Sequence, residues 1–169
     1  MSEKEQIRMQ VLQDELKDCK AFNRALITLA GEISCVLDEI ARTDEAKNIC
    51  VIMGEGAGRR IGARTRKQFG TLKSVEEALD IFMHRTDAWY GYDIEIDHIE
   101  NGTIYINVLK CFIRDILRDR GLMTGTPLCG ITCGYLRGAL NELTGKDVDV
   151  ELVYGDVNGV CREKIVVGK

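Results

Sequence analysis

The sequence predicts an α+β fold: an antiparallel sheet of two hairpins packed against a layer of helices, with a long N-terminal helical segment. Three observations carry this. Two stretches, WYGYDIEIDHIENGTIYINV and VDVELVYGDVNGVCREKIVV, alternate apolar and polar residues around turn signals. The segments between them keep helical spacing. The element order, helices then a hairpin, helices then a hairpin, is not the alternating strand-helix-strand order of a parallel sheet. The 169 residues suit one domain, read here as residues 46–169, preceded by a helical dimerisation segment over residues 1–45.

Taken in order, the first forty residues read as helix. Leu12, Leu16, Cys19, Phe22, Leu26, Leu29, Ile33, Val36 and Ile40 recur at steps of three and four, close to a heptad seam. A helix of about 37 residues would be roughly 55 Å long, too long for one domain of this size to cover. Either it breaks near Gly31 and folds back as a helical hairpin, or a second copy of the chain covers it; a homodimer is the expectation. Ser74 with Glu77 makes a capping-box signal, and Val75, Ala78, Leu79, Phe82 and Met83 form the helix face after it. Asn101-Gly102 sits between the halves of the first hairpin, as a primed turn requires. Leu109, Phe112, Ile113, Ile116 and Leu117 return to helical spacing, which Gly121 can end. Thr126-Pro127 is an N-cap followed by proline at the first helical position, opening a helix to about Leu143 with Gly145 beyond. The second hairpin closes the chain around a Gly-Asp-Val-Asn-Gly loop.

The stretch VIMGEGAGRRIGARTRKQF, from Val51 to Phe69, invites two readings. As a strand feeding a phosphate loop it fails on spacing. Gly54 and Gly56 begin a G-x-G-x-x-G fingerprint, but Arg59 stands where the third glycine belongs, and no Gly-Lys-Ser/Thr follows. As a helix it places Gly54, Gly58 and Gly62 on one stripe. Each glycine costs a helix about 1 kcal/mol against alanine, so three on one face need a reason. PLCGITCGYLRGALNELTG holds a second stripe, Gly130, Gly134 and Gly138. Two such helices can approach closely, and they are expected to form the centre of the fold and frame its pocket.

The bulk numbers exclude several functions. The net charge is −4, so there is no basic excess to displace the counterions of a nucleic acid, and none is expected as a partner. No apolar run reaches the ~20 residues of a membrane span. Seven cysteines, an odd count, without a secretory signal argue for thiols, metal ligands or redox groups in a cytoplasmic protein rather than a disulfide frame. The two histidines, His84 and His98, lack paired-ligand spacing. His98 lies among Asp93, Glu95, Asp97 and Glu100, the expected solvent face of a strand. The three serines sit in helical or capping contexts. No catalytic residue and no nucleotide cofactor is assigned.

GEGAGRRIGART, the first hairpin and LCGITCGYLRGALNELTGKDVDVELVYGDVNGVC together resemble the 4-vinyl reductase domain, over roughly Ile49 to Val167. TCGYLRGAL is also similar to the small subunits of the transport protein particle tethering complex, whose fold that domain shares. The resemblance implies an α+β fold, dimerisation and a role in binding small hydrophobic molecules; the family name does not make this chain a reductase. Related sensing domains hold zinc with three cysteines and a glutamate. Carried over by position, these ligands are Cys129, Glu151 and Cys161, with Tyr154 where the remaining cysteine belongs and Cys133 as a substitute one helical turn from Cys129. Cys129 and Cys133 are thus zinc ligands, buried apolar thiols or a redox pair. The tethering subunits carry an acylated cysteine after the first glycine helix; Gly70 and Thr71 offer no thiol there.

The expected function is a noncatalytic, homodimeric module that binds or senses a small hydrophobic ligand. Met53, Ile61, Phe82, Trp89, Ile131 and Tyr135 are the expected lining. The alternatives are a metal- or redox-responsive regulator acting through Cys129, Cys133 and Cys161, and a scaffold subunit resembling the tethering proteins.

Overall fold

The computed structural model describes residues 44–90 and 92–168, with the backbone alone at 44–46 and 85–90, and ahead of them the helical positions 9, 10, 12, 13, 15–17, 20, 26, 30 and 33. Of the expected N-terminal seam, Leu12, Leu16, Leu26 and Ile33 are exposed helical residues. Cys19, Phe22, Leu29, Val36, Ile40 and the expected break at Gly31 lie outside the described residues.

From Asp44 the described elements are α1 (Asp44–Phe69), α2 (Val75–Tyr90), β1 (Asp93–Glu100), β2 (Thr103–Lys110), α3 (Phe112–Asp119), α4 (Cys129–Thr144), β3 (Val148–Tyr154) and β4 (Cys161–Val167). The stretch Val51 to Phe69 is helical throughout, so no phosphate loop forms there. The fold is α+β, with one four-stranded antiparallel sheet in the order β1-β2-β4-β3. Each hairpin contributes two neighbouring strands, and β2 pairing with β4 joins them.

Local chemistry explains the boundaries. Ser74 Oγ accepts the Glu77 N–H at 3.1 Å, while Glu77 reaches back to the Lys73 N–H at 3.2 Å, a reciprocal cap displaced by one residue. Asn101 and Gly102 have φ of 49° and 79°, the left-handed pair of a type I′ turn. The α4 segment enters through tight i→i−3 bonds, Cys129 N–H to Thr126 O at 3.0 Å and Gly130 N–H to Pro127 O at 2.9 Å. Regular helix therefore starts at Cys129, just past the expected Thr126-Pro127 start. The Arg114 guanidinium donates to Val108 O at 2.9 Å and Leu109 O at 2.5 Å, pinning α3 to the end of β2.

The inner face of the sheet presents Ile94, Ile104, Ile106, Val108, Val148, Val150 and Ile165. Against them pack Val75, Leu79 and Phe82 of α2, Ile113 and Leu117 of α3, and Leu136, Leu140 and Leu143 of α4. The outer face carries polar residues, with His98 stacked on Tyr105 at 4.4 Å between ring centroids.

The helix α1 rides on α4 through the two glycine stripes. A β-carbon at Gly54 would strike the Ile131 carbonyl, one at Gly58 the Tyr135 carbonyl, and one at Gly62 would lie 2.8 Å from the Ala139 carbonyl oxygen. In return Gly134 faces Val51 and Gly138 faces Glu55. Residue numbers rise together on both helices, so they run in the same direction. Arg137 of α4 clamps the pair, contacting Glu55 of α1 at 2.5 Å and Asp149 of β3 at 3.4 Å.

Candidate functional site

Period two along β4 points Cys161, Glu163 and Ile165 toward the helices, and all three are buried. The middle residue is a carboxylate at 2% relative exposure. Tyr92, at the entry to β1, donates its hydroxyl to Glu163 Oε2 at 3.3 Å, and the Cys133 thiol of α4 points at Oε1 at 3.6 Å. Burial raises the Glu163 pKa to about 7, against the lowering effect of its hydrogen bonds from Cys133 and Tyr92. The groups nearby respond to burial too. It drives Cys133 and Tyr92 well above their ordinary values, with the Glu163 charge adding to the rise in each. Cys111 is pushed up to about 12, chiefly by burial. Cys129 is raised for the same main reason. At neutral pH these thiols are protonated, and a thiol is a weak nucleophile and a weak ligand in that state.

Tyr92 also borders an apolar pocket of about 200 Å³, whose other walls are Ala57 of α1, Phe112 of α3, and Ile131, Thr132 and Tyr135 of α4. The glycine contacts explain why it is there. Close approach of α1 to α4 places Ala57, one residue before Gly58, beside Tyr135, while the entry to β1 and the start of α3 close the far side. Phe112 is 42% exposed, a position at the rim.

Of the expected lining residues, Ile131 and Tyr135 lie in this pocket. Phe82 packs behind Tyr135, with ring centroids 5.7 Å apart. Ile61 borders an adjoining surface hollow of about 220 Å³, shared with Ala57, Arg60, Arg64 and Tyr135. Met53 is 62% exposed, on the face of α1 away from its glycines. Trp89 lies in α2, and its side chain is outside the described residues. Tyr92, Phe112, Thr132 and Ala57 were not among the expected lining, nor was Glu163 singled out. Glu163 had a legible signal: it stands in phase with Cys161 and Ile165 on a strand whose other phase is Arg162, Lys164 and Val166.

Three of the expected zinc ligands, Cys129, Cys133 and Glu151, line a separate cleft of about 310 Å³ together with Lys47, Arg137 and Asp149. Glu151 is exposed and ion-paired to Lys164 at 2.8 Å. Tyr154 is exposed on β3. The Cys161 thiol faces the Asp156 carbonyl at 3.8 Å instead. Among the described residues no three His, Cys, Asp or Glu side chains are grouped to hold a metal ion. The residues present do not fit the zinc set that the resemblance implies, and no chemistry is assigned through a metal.

No protein-family model and no curated protein matches the chain. Solved structures do. The phenol-responsive sensory domain of the transcription activator PoxR, crystallised with phenol, is similar over 80% of this chain and 73% of its own, with 18% identity and a TM-score of 0.60. Subunit 3 of the trafficking protein particle complex from Naegleria fowleri, covalently bound to palmitic acid, is similar over 89% and 97% respectively, with 13% identity and a TM-score of 0.67. A vinyl-4-reductase family protein from Methanocaldococcus jannaschii is similar over 71% and 68%, with 17% identity and a TM-score of 0.50. The chain has the 4-vinyl reductase type of fold, related to that of the small tethering subunits. The likeness shows the fold. No helix among the described residues is long and apolar enough to cross a membrane.

Proposed function

We propose that the protein is a noncatalytic module that binds one small apolar molecule, held between α1, α4, the entry to β1 and the start of α3. The observation that carries this is the apolar pocket of about 200 Å³ bordered by Ala57, Tyr92, Phe112, Ile131, Thr132 and Tyr135. A dry apolar cavity of about 150 Å³ is enough to hold benzene, so this volume suits one ring and is small for a long acyl chain. The PoxR sensory domain, similar in fold, is responsive to phenol, a molecule of that size. The buried, protonated thiols favour binding over nucleophilic catalysis.

Titration with toluene, followed by amide chemical shifts, tests the reading. The expected result is saturable shifts at Ile131, Thr132 and Tyr135, weakened about tenfold or more by Ile131→Trp, which fills the pocket. A wild-type protein whose pocket amides ignore toluene overturns it.

The same reading makes the protein a cytoplasmic homodimer joined through its N-terminal seam. Support comes from the exposed helical Leu12, Leu16, Leu26 and Ile33 and from the free thiols of Cys50, Cys111, Cys129, Cys133 and Cys161, which suit a reducing compartment. It also treats Cys129, Cys133 and Cys161 as core thiols. Metal analysis of protein purified without chelator is expected to return far less than one zinc per chain. One equivalent of zinc, lost in Cys161→Ser, would reverse that assignment in favour of a metal-responsive regulator.

A further inference from the structure

Resting on the reading of the apolar pocket as a ligand site, we infer that the ligand is a small anionic amphiphile: a carboxylic acid whose apolar body fills that pocket and whose carboxylate is held by Arg60 and Arg64. The hollow lined by Arg60, Ile61 and Arg64 adjoins the apolar pocket, and Ala57 and Tyr135 belong to both. Ala57, Arg60, Ile61 and Arg64 follow one another at i, i+3, i+4 and i+7, so they share a face of α1. One helical turn is about 5.4 Å. A head group at the arginines therefore lies one to two turns from Ala57, the reach of a ring with a short acid side chain.

The pairing pattern along α1 points the same way. Arg59 binds Glu55 and Arg66 binds Glu142, each at 2.6 Å. Among the described residues Arg60 and Arg64 have no carboxylate partner. They are also like charges at i, i+4, an arrangement that destabilises a helix. The arginines that turn away from the hollow are neutralised, and the two that line it are not. In a chain of net charge −4 this local pair is an anion site against the general field. The guanidinium fork suits a carboxylate, and Ile61 between the arginines continues the apolar wall toward the head group.

A matched pair of probes isolates the charge: 3-phenylpropionate and the neutral 3-phenylpropanol, titrated calorimetrically against the full chain at low and high salt. Both arginines are exposed, where ion pairs are weak, so the acid is expected to bind about threefold to fivefold more tightly than the alcohol at low salt. That preference should shrink at high salt and vanish in the Arg60→Gln, Arg64→Gln double variant, with alcohol binding unchanged. Arg59→Gln should keep it. Equal binding of acid and alcohol by the wild type, or a preference that survives the double variant, overturns the inference and leaves the apolar reading standing. Failure of both probes to bind overturns the inference, and the apolar reading falls with it only if toluene also leaves the pocket amides unmoved.

Discussion

Replacing Gly58 with alanine is expected to destabilise the protein by about 3 kcal/mol, whereas the same change two residues earlier, Gly56→Ala, should stabilise it by up to about 1 kcal/mol. Alanine is the better helix former at both positions, so propensity predicts a gain at each. The surroundings decide the sign. A β-carbon at Gly58 would land on the Tyr135 carbonyl, with the Ala139 nitrogen 2.9 Å away. Those are backbone atoms of α4 and cannot swing aside as a side chain can. The helices would have to part, and Gly54 and Gly62 would lose their contacts with them. At Gly56 the nearest atom is the tip of Arg60 at 3.7 Å, ordinary contact. For a chain of this size 1 kcal/mol moves the melting temperature by about 2–4 °C. Thermal melts should show Gly58→Ala about 10 °C below the wild type and Gly56→Ala slightly above it. If both variants melt together, the close packing of α1 on α4 is wrong.

That contrast also shows what a one-dimensional pattern carries. Gly54, Gly58, Gly62 and their counterparts on α4 were legible because glycine is a poor helix residue, and its recurrence at four-residue steps has one economical cause. Asn101-Gly102 was legible for a similar reason, since few residue pairs accept two positive φ values. The position of Met53 was not. On most helices the buried face is the hydrophobic one, but on α1 the face against α4 is made of glycine, so apolar character stopped marking burial and Met53 points outward. The parallel run of α1 and α4 was equally hidden, because two stripes match in either direction. The pocket draws Tyr92 and Phe112 from the ends of elements, where periodicity has no phase. Glu163 obeyed the alternation of its strand, but a carboxylate in an apolar phase is read as solvent-facing until its partners, Tyr92 and Cys133, arrive from 71 and 30 residues away.

Glu163 should make the protein less stable at pH 8 than at pH 5, by about 2–3 kcal/mol, and Glu163→Gln should remove most of that slope. The folded pKa is about 7, against an ordinary glutamate value of 4.5. Between those values the folded protein keeps a proton that the unfolded chain has released. Stability is therefore full below pH 4.5 and is lost as pH rises through 7, because the native state must then ionise a carboxyl at 2% exposure. The other groups around it do not interfere in this window. Cys133, Cys111, Cys129 and Tyr92 are all raised above their ordinary values, so they titrate at higher pH. Glu55 and Asp97 are lowered, by hydrogen bonds from Arg59 and His98 first of all, so their contributions fade only in acid and with the opposite sign. Glutamine keeps the shape and an acceptor oxygen but cannot ionise. The wild type should lose about 10 °C of melting temperature from pH 5 to pH 8, while Glu163→Gln stays nearly flat and overtakes it near neutrality. Glu163→Ala should be weaker than glutamine throughout, because it leaves the Tyr92 hydroxyl buried without its acceptor. A flat wild-type profile would mean that the carboxyl reaches water, and that Tyr92 and Cys133 do not close over it as described.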